Sequence, residues 1–165
     1  MVQAFLLFLT LVAAGCARQV STTELRLIAR SEGGRTWVEV TAPPQALPIN
    51  DWVKKCPGNV SVLYQSPRVV SLGCTGEAPE YASFRLGDGR RLVLRDTIQR
   101  GVEGQLQEAV NRYLRKKNRG AFIPGDSFSL TAQGMVFPTP EGDVIVSSIE
   151  MRPLLSPEAA LLVGR

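Results

Sequence analysis

Fifteen residues without one ionisable side chain, MVQAFLLFLTLVAAG, stand in front of Cys16. Positions 4 to 14 hold a single polar residue, Thr10. The run has the length of a signal-peptide core and falls short of the roughly 20 apolar residues that cross a bilayer. The small residues Ala13, Ala14 and Gly15 form a recognisable cleavage site. Residues 1–15 are therefore expected to be a leader, 16–24 a polar tether, and 25–165 the folded part. A stretch of that size supports one hydrophobic core and is short for two.

Export changes how the remaining cysteines read. Cys56 and Cys74 lie eighteen positions apart, and two spare cysteines in an oxidising compartment usually pair. Their bridge would stabilise the chain by roughly 3 kcal/mol through loop closure. The alternative is two reduced, buried thiols. The spacing excludes a CxxC redox site, and two thiols alone are too few for zinc. The sequence has no histidine. That removes Ser-His-Asp and Cys-His catalysis, histidine zinc sites and any imidazole proton shuttle.

Lys and Arg number 19 against 15 Asp and Glu, a formal charge of +4, with 44% hydrophobic and 21% charged residues. This is globular composition. The charge suits an anionic envelope surface and is too small and dispersed for nucleic acid. Neither GxGxxG nor GxxxxGK[ST] occurs, so no nucleotide and no cofactor is expected.

Period-two alternation predicts strands at 24–30 and 36–42 around a Gly33-Gly34 turn, the second ended by Pro43 and Pro44. Asn50 or Asp51 is expected to cap a short helix running to Cys56. NVSVLYQSP and RVVSLGC read as a strand pair. EYASFRL and RRLVLRD read as a hairpin about Gly87-Asp88-Gly89. Val102, Leu106, Val110, Tyr113 and Leu114 give an apolar stripe on a helix over about 98–118, ended by Gly120. DSFSLT and MVFP form a second hairpin, 143–151 a further strand, and Ser156 caps a terminal helix with Pro157 in its first turn. The expectation is an α+β domain: a mainly antiparallel sheet, one long packed helix and two short ones.

Candidate chemistry is thin. Gly125-Asp126-Ser127 has the look of a GDS-type hydrolase block, but that block needs a histidine base. Asp88, Asp96, Asp126, Glu141 and Asp143 sit near turns, where two could pair for glycosidase-type work or simply serve turns and caps. Arg112, Arg115, Lys116, Lys117 and Arg119 crowd the end of the long helix. They read either as dipole capping on a solvated face or as a candidate anionic-surface contact. The aromatics fall mostly on apolar strand positions and read as core rather than as a carbohydrate platform.

The leader and Cys16 resemble the lipobox of bacterial lipoproteins, which implies acyl chains on Cys16 as a membrane anchor. Further along, QALPIND, VSVLYQSPRVVSL, LGDGRRLVLRDTI and FIPGDSFSLTAQGMVF resemble the envelope domain shared by RsiV-type anti-sigma factors and the non-catalytic part of PdaC-type peptidoglycan deacetylases. The resemblance covers about two-thirds of the chain and is strongest at residues 84–137. It departs at GCTGEAPEYASF, which lacks the family's histidine, and at TPEGDVIV, which replaces an aromatic run. The resemblance implies an envelope location and a binding or sensing role, with no catalytic domain and no segment expected to reach the cytoplasm.

The expectation is a lipid-anchored, non-enzymatic domain on the periplasmic or outer face, binding peptidoglycan or an envelope protein. An envelope hydrolase using paired carboxylates, and a structural subunit of an envelope assembly, are the alternatives.

Overall fold

The computed structural model describes residues 26–41 and 46–163. Cys16, the leader, the tether and Pro43-Pro44 lie outside the described residues. The chain opens with β1 (Arg26–Glu32) and β2 (Arg35–Thr41), paired antiparallel through Gly33-Gly34. Both glycines have positive φ, 59° and 78°, which a two-residue hairpin turn requires and side-chain-bearing residues resist. After α1 (Ala46–Lys55) come β3 (Val60–Gln65), β4 (Val69–Cys74) and β5 (Glu80–Arg85), an antiparallel sheet in chain order. Next are α2 (Leu94–Thr97) and α3 (Glu103–Lys116). A second three-stranded antiparallel sheet follows, built from β6 (Ser129–Thr131), β7 (Gly134–Phe137) and β8 (Val144–Ser147). The chain ends with α4 (Ser148–Met151) and α5 (Pro157–Val163). The class is α+β as expected, with the strands divided among three sheets rather than one.

Two buried clusters sit on either side of β4 and β5. Ile49, Trp52 and Val53 of α1 pack with Val40, Val70, Leu72, Ala82 and Phe84. Leu106, Val110 and Leu114 of α3 pack with Leu130, Met135, Phe137, Val144 and Val146. All six residues of β4 are buried, because alternation sends Val70, Leu72 and Cys74 towards α1 and Ser71 towards β6. Cys56 and Cys74 form a disulfide with Cα atoms 5.8 Å apart. It ties the end of α1 to the end of β4. The Arg35 guanidinium seals the same corner by donating to the carbonyls of Val53, at the end of α1, and of Cys56 and Gly58 just beyond it.

Several local expectations change. The long helix begins at Glu103, because Gly101 takes φ 84° and Ile98 leaves to bridge Leu155. It closes before Gly120. Asn118 adopts φ 53°, its N–H reaches the Arg115 carbonyl, and Arg119 N–H reaches that of Leu114; this is a Schellman close with Asn in the glycine position. RRLVLRD is not a strand: only Arg91 bridges Phe84, after which α2 begins. The 143–151 run is β8 to Ser147 and α4 thereafter, with the Ser147 hydroxyl accepting from Glu150 N–H. Asn50 lies inside α1, and neither it nor Asp51 caps that helix.

Candidate functional site

The register of the second sheet aligns Ser129 with Val136 and Val136 with Ile145. These three side chains form one row across β6, β7 and β8, on the face opposite Leu130, Met135 and Val146. Thr131 on β6 and Asp143, the residue before β8, flank the row at its two ends. Against this floor stand Leu63, Tyr64 and Tyr81. A break in register between Val62 and Tyr64 leaves Leu63 as an extra residue on β3, and bulges of this kind re-aim side chains. The result is an open groove of about 430 Å³, within the size range of small-molecule sites.

The groove is part apolar and part polar. Leu63 and Ile145 are each 40% exposed and supply its apolar part. The Tyr81 hydroxyl donates to Asp143, 2.9 and 3.0 Å from the two carboxylate oxygens. Burial, then this hydrogen bond and the Asp143 charge, push the Tyr81 hydroxyl up to about 12, so it remains a neutral donor. Ser129 is 1% exposed and its hydroxyl meets no partner among the described residues. A second cavity, about 150 Å³, lies between Gly134 and Met151, Leu155 and Val163.

The other carboxylates singled out in the sequence each have partners that account for them. Asp88 accepts from Arg85 and from the N–H of Arg90, and the Arg85 guanidinium holds its carboxyl below the usual range. Asp96 pairs with Arg90 at 2.7 Å, and Glu141 with Arg119 at 3.8 Å. Asp126 accepts from the N–H of Leu94 at the start of α2, and the Ser127 hydroxyl accepts from Tyr81 N–H. Gly125-Asp126-Ser127 is thus a bracket between a loop, a helix start and β5.

The basic helix end is mostly engaged as well. Arg112 pairs with Glu150, Arg115 with Glu108, and Arg119 with Glu141 and the carbonyls of Glu141 and Gly142. Lys116 and Lys117 are exposed without an ion pair among the described residues. Among the described residues, no group of three or more His, Cys, Asp and Glu gathers as a metal site, and no helix is long and apolar enough to cross a membrane.

No family model and no curated protein matches the sequence. Solved structures do match. A DUF3298 family protein from Pseudomonas aeruginosa PAO1 superposes with a TM-score of 0.57 at 11% identity, covering 86% of this chain and 97% of that one. A DUF3298 member from Bacteroides fragilis gives 0.51 at 14% identity, covering 87% and 98%.

The fold is DUF3298-like. At such identities the likeness concerns architecture alone. Within this DUF3298-like fold the groove was not singled out by sequence reasoning, although one signal pointed to it. In DVIVS the core residues are Val144 and Val146, so Asp143 and Ile145 share the outward face. That places an isoleucine beside a carboxylate on the groove side of β8.

Proposed function

We propose that this chain is a lipid-anchored, non-enzymatic envelope domain that binds cell-wall glycan in the groove between β3 and the second sheet. The observation that carries the reading is the groove's mixture: tyrosines and aliphatic side chains beside a carboxylate, an amide and hydroxyls. A sugar ring has the matching character, with C–H faces for Tyr64, Tyr81 and Ile145 and hydroxyls for Asp143, Gln133 and Ser129. The leader and Cys16 support an envelope location, as does the resemblance to RsiV-type and PdaC-type envelope domains. Each acidic residue singled out in the sequence is engaged by a partner of its own, which favours binding over carboxylate-pair hydrolysis.

The test is co-sedimentation with purified, insoluble peptidoglycan. The mature chain is expected to pellet with the sacculi, and Ile145→Asp, on an exposed strand position, to remain in the supernatant while still folded by circular dichroism. Equal pelleting of both proteins, or none of either, overturns the reading.

A further inference from the structure

We infer that the groove selects a cell-wall fragment carrying an ammonium group, with Asp143 as its anchor and Ser129 as a neutral second contact. The inference rests on the glycan reading above and names the chemistry of the ligand. Asp143 is set apart from its neighbours by its partner. Asp88, Asp96, Glu80 and Glu141 each have an arginine within ion-pair distance, whereas the hydrogen-bond partner of Asp143 among the described residues is the Tyr81 hydroxyl. Arg119, the cation that touches this turn, is engaged with Glu141 and the carbonyls of Glu141 and Gly142. A hydroxyl orients a carboxylate without neutralising it. A carboxylate also offers about four acceptor positions, so one shared hydroxyl leaves most of them for a ligand.

The remaining lining fits a cation better than an anion or a wholly neutral molecule. An ammonium gains a charge-assisted hydrogen bond from Asp143. It also gains attraction from electron-rich rings, here those of Tyr64 and Tyr81. A phosphate or carboxylate would be repelled. Ser129 supplies the second observation. Its hydroxyl is buried on the groove floor and unpartnered among the described residues, and such a group is destabilising until something meets it. A hydroxyl or amide of the same ligand would do so. Val136 and Ile145 between these two points provide an apolar seat.

In cell-wall material an ammonium comes from a sugar with a free amine or from an amine of the stem peptide. Calorimetric titration of the mature chain with two matched pairs separates them. One pair is hexa-N-acetylchitohexaose and its fully deacetylated form. The other is a disaccharide-tetrapeptide with its side-chain amine free or acetylated. The free-amine member of one pair is expected to bind about tenfold more tightly, and that pair identifies the source. High salt should shrink the preference. Asp143→Asn, which keeps an oxygen for the Tyr81 hydroxyl, should abolish it. Ser129→Ala should weaken both members of the pair alike. Equal binding within both pairs, or a preference that survives in Asp143→Asn, overturns the ammonium inference and leaves the glycan reading standing. Pelleting with sacculi while no fragment binds has the same consequence. No binding and no pelleting overturns both.

Discussion

The hydroxyls of Ser71 and Ser83 lie 2.8 Å apart, buried at the seam between the two three-stranded sheets. Ser83 accepts from the N–H of Leu130 at 2.8 Å, and Ser71 donates to the carbonyl of Leu130 at 2.9 Å. The single hydrogen on Ser71 is thereby used, so the Ser83 hydroxyl is the donor between them, its one hydrogen facing Ser71 at 2.8 Å and, more distantly, the carbonyl of Phe128 at 3.3 Å. β6 is the outer strand of its sheet, and its free edge would otherwise bury unpaired backbone groups. Two side chains on β4 and β5 thus stand in for a neighbouring strand, and they fix how the sheets meet along one wall of the groove.

Because the four groups form a closed ring, removing one member strands another. Ser83→Ala leaves the Leu130 N–H without its acceptor and is expected to cost about 1–3 kcal/mol, as is Ser71→Ala. The double variant should cost clearly less than the two together, since the second deletion removes a group already stranded. Urea unfolding of the four proteins measures this. Simple additivity would mean that the serines act independently of each other.

The Cys56–Cys74 bridge makes a second prediction. It closes a sequence separation of 18, and opening it should lower unfolding free energy by about 3 kcal/mol in the chain-entropy view. Guanidinium midpoints with and without reductant test this directly. An unchanged midpoint, or two free thiols by mass spectrometry in exported protein, would show that the bridge is not formed in solution. Arg35 holds three carbonyls at the same corner, so the reduced chain should keep α1 docked and lose stability rather than structure.

Alternation and turn chemistry place β2, β4, β5, the Gly33-Gly34 turn and the Ser156-Pro157 start of α5, because those signals act within a few residues. The cysteine pair was readable for another reason: if the chain is exported, as its leader-like start suggests, elimination leaves the pair few alternatives. What local pattern cannot carry is a partner far along the chain. Asn50 looks like a helix cap, yet its amide bonds both the N–H and the C=O of Val40, imitating a strand neighbour for β2. Asp126 looks catalytic or turn-forming, yet it serves the first N–H of α2 thirty-two residues away. RRLVLRD alternates like a strand, but beyond Arg91 no strand pairs with it and α2 takes over. The groove suffers the same limit. Tyr64 and Tyr81 sit on strand positions that read as core, and only the packing of two sheets leaves them beside Asp143 and Ile145.

Tyr81 gives a prediction with a definite pH window. Its folded-state pKa is raised to about 12 by burial and by Asp143, against an unfolded value near 10. Stability from this group is therefore complete below about pH 10 and is lost as pH rises towards 12, where the unfolded chain releases the proton first. Tyr81→Phe lacks the titrating group. At neutral pH the variant should be less stable by about 1 kcal/mol, the worth of a typical hydrogen bond. Above pH 10 the wild type should decline towards it, so the gap between their urea midpoints should close. The other tyrosines and the lysines titrate in both proteins and cancel from the difference. A gap that stays constant from pH 8 to 12 would mean that the Tyr81–Asp143 contact is not held in solution, and the groove would lose the bond that orients its carboxylate.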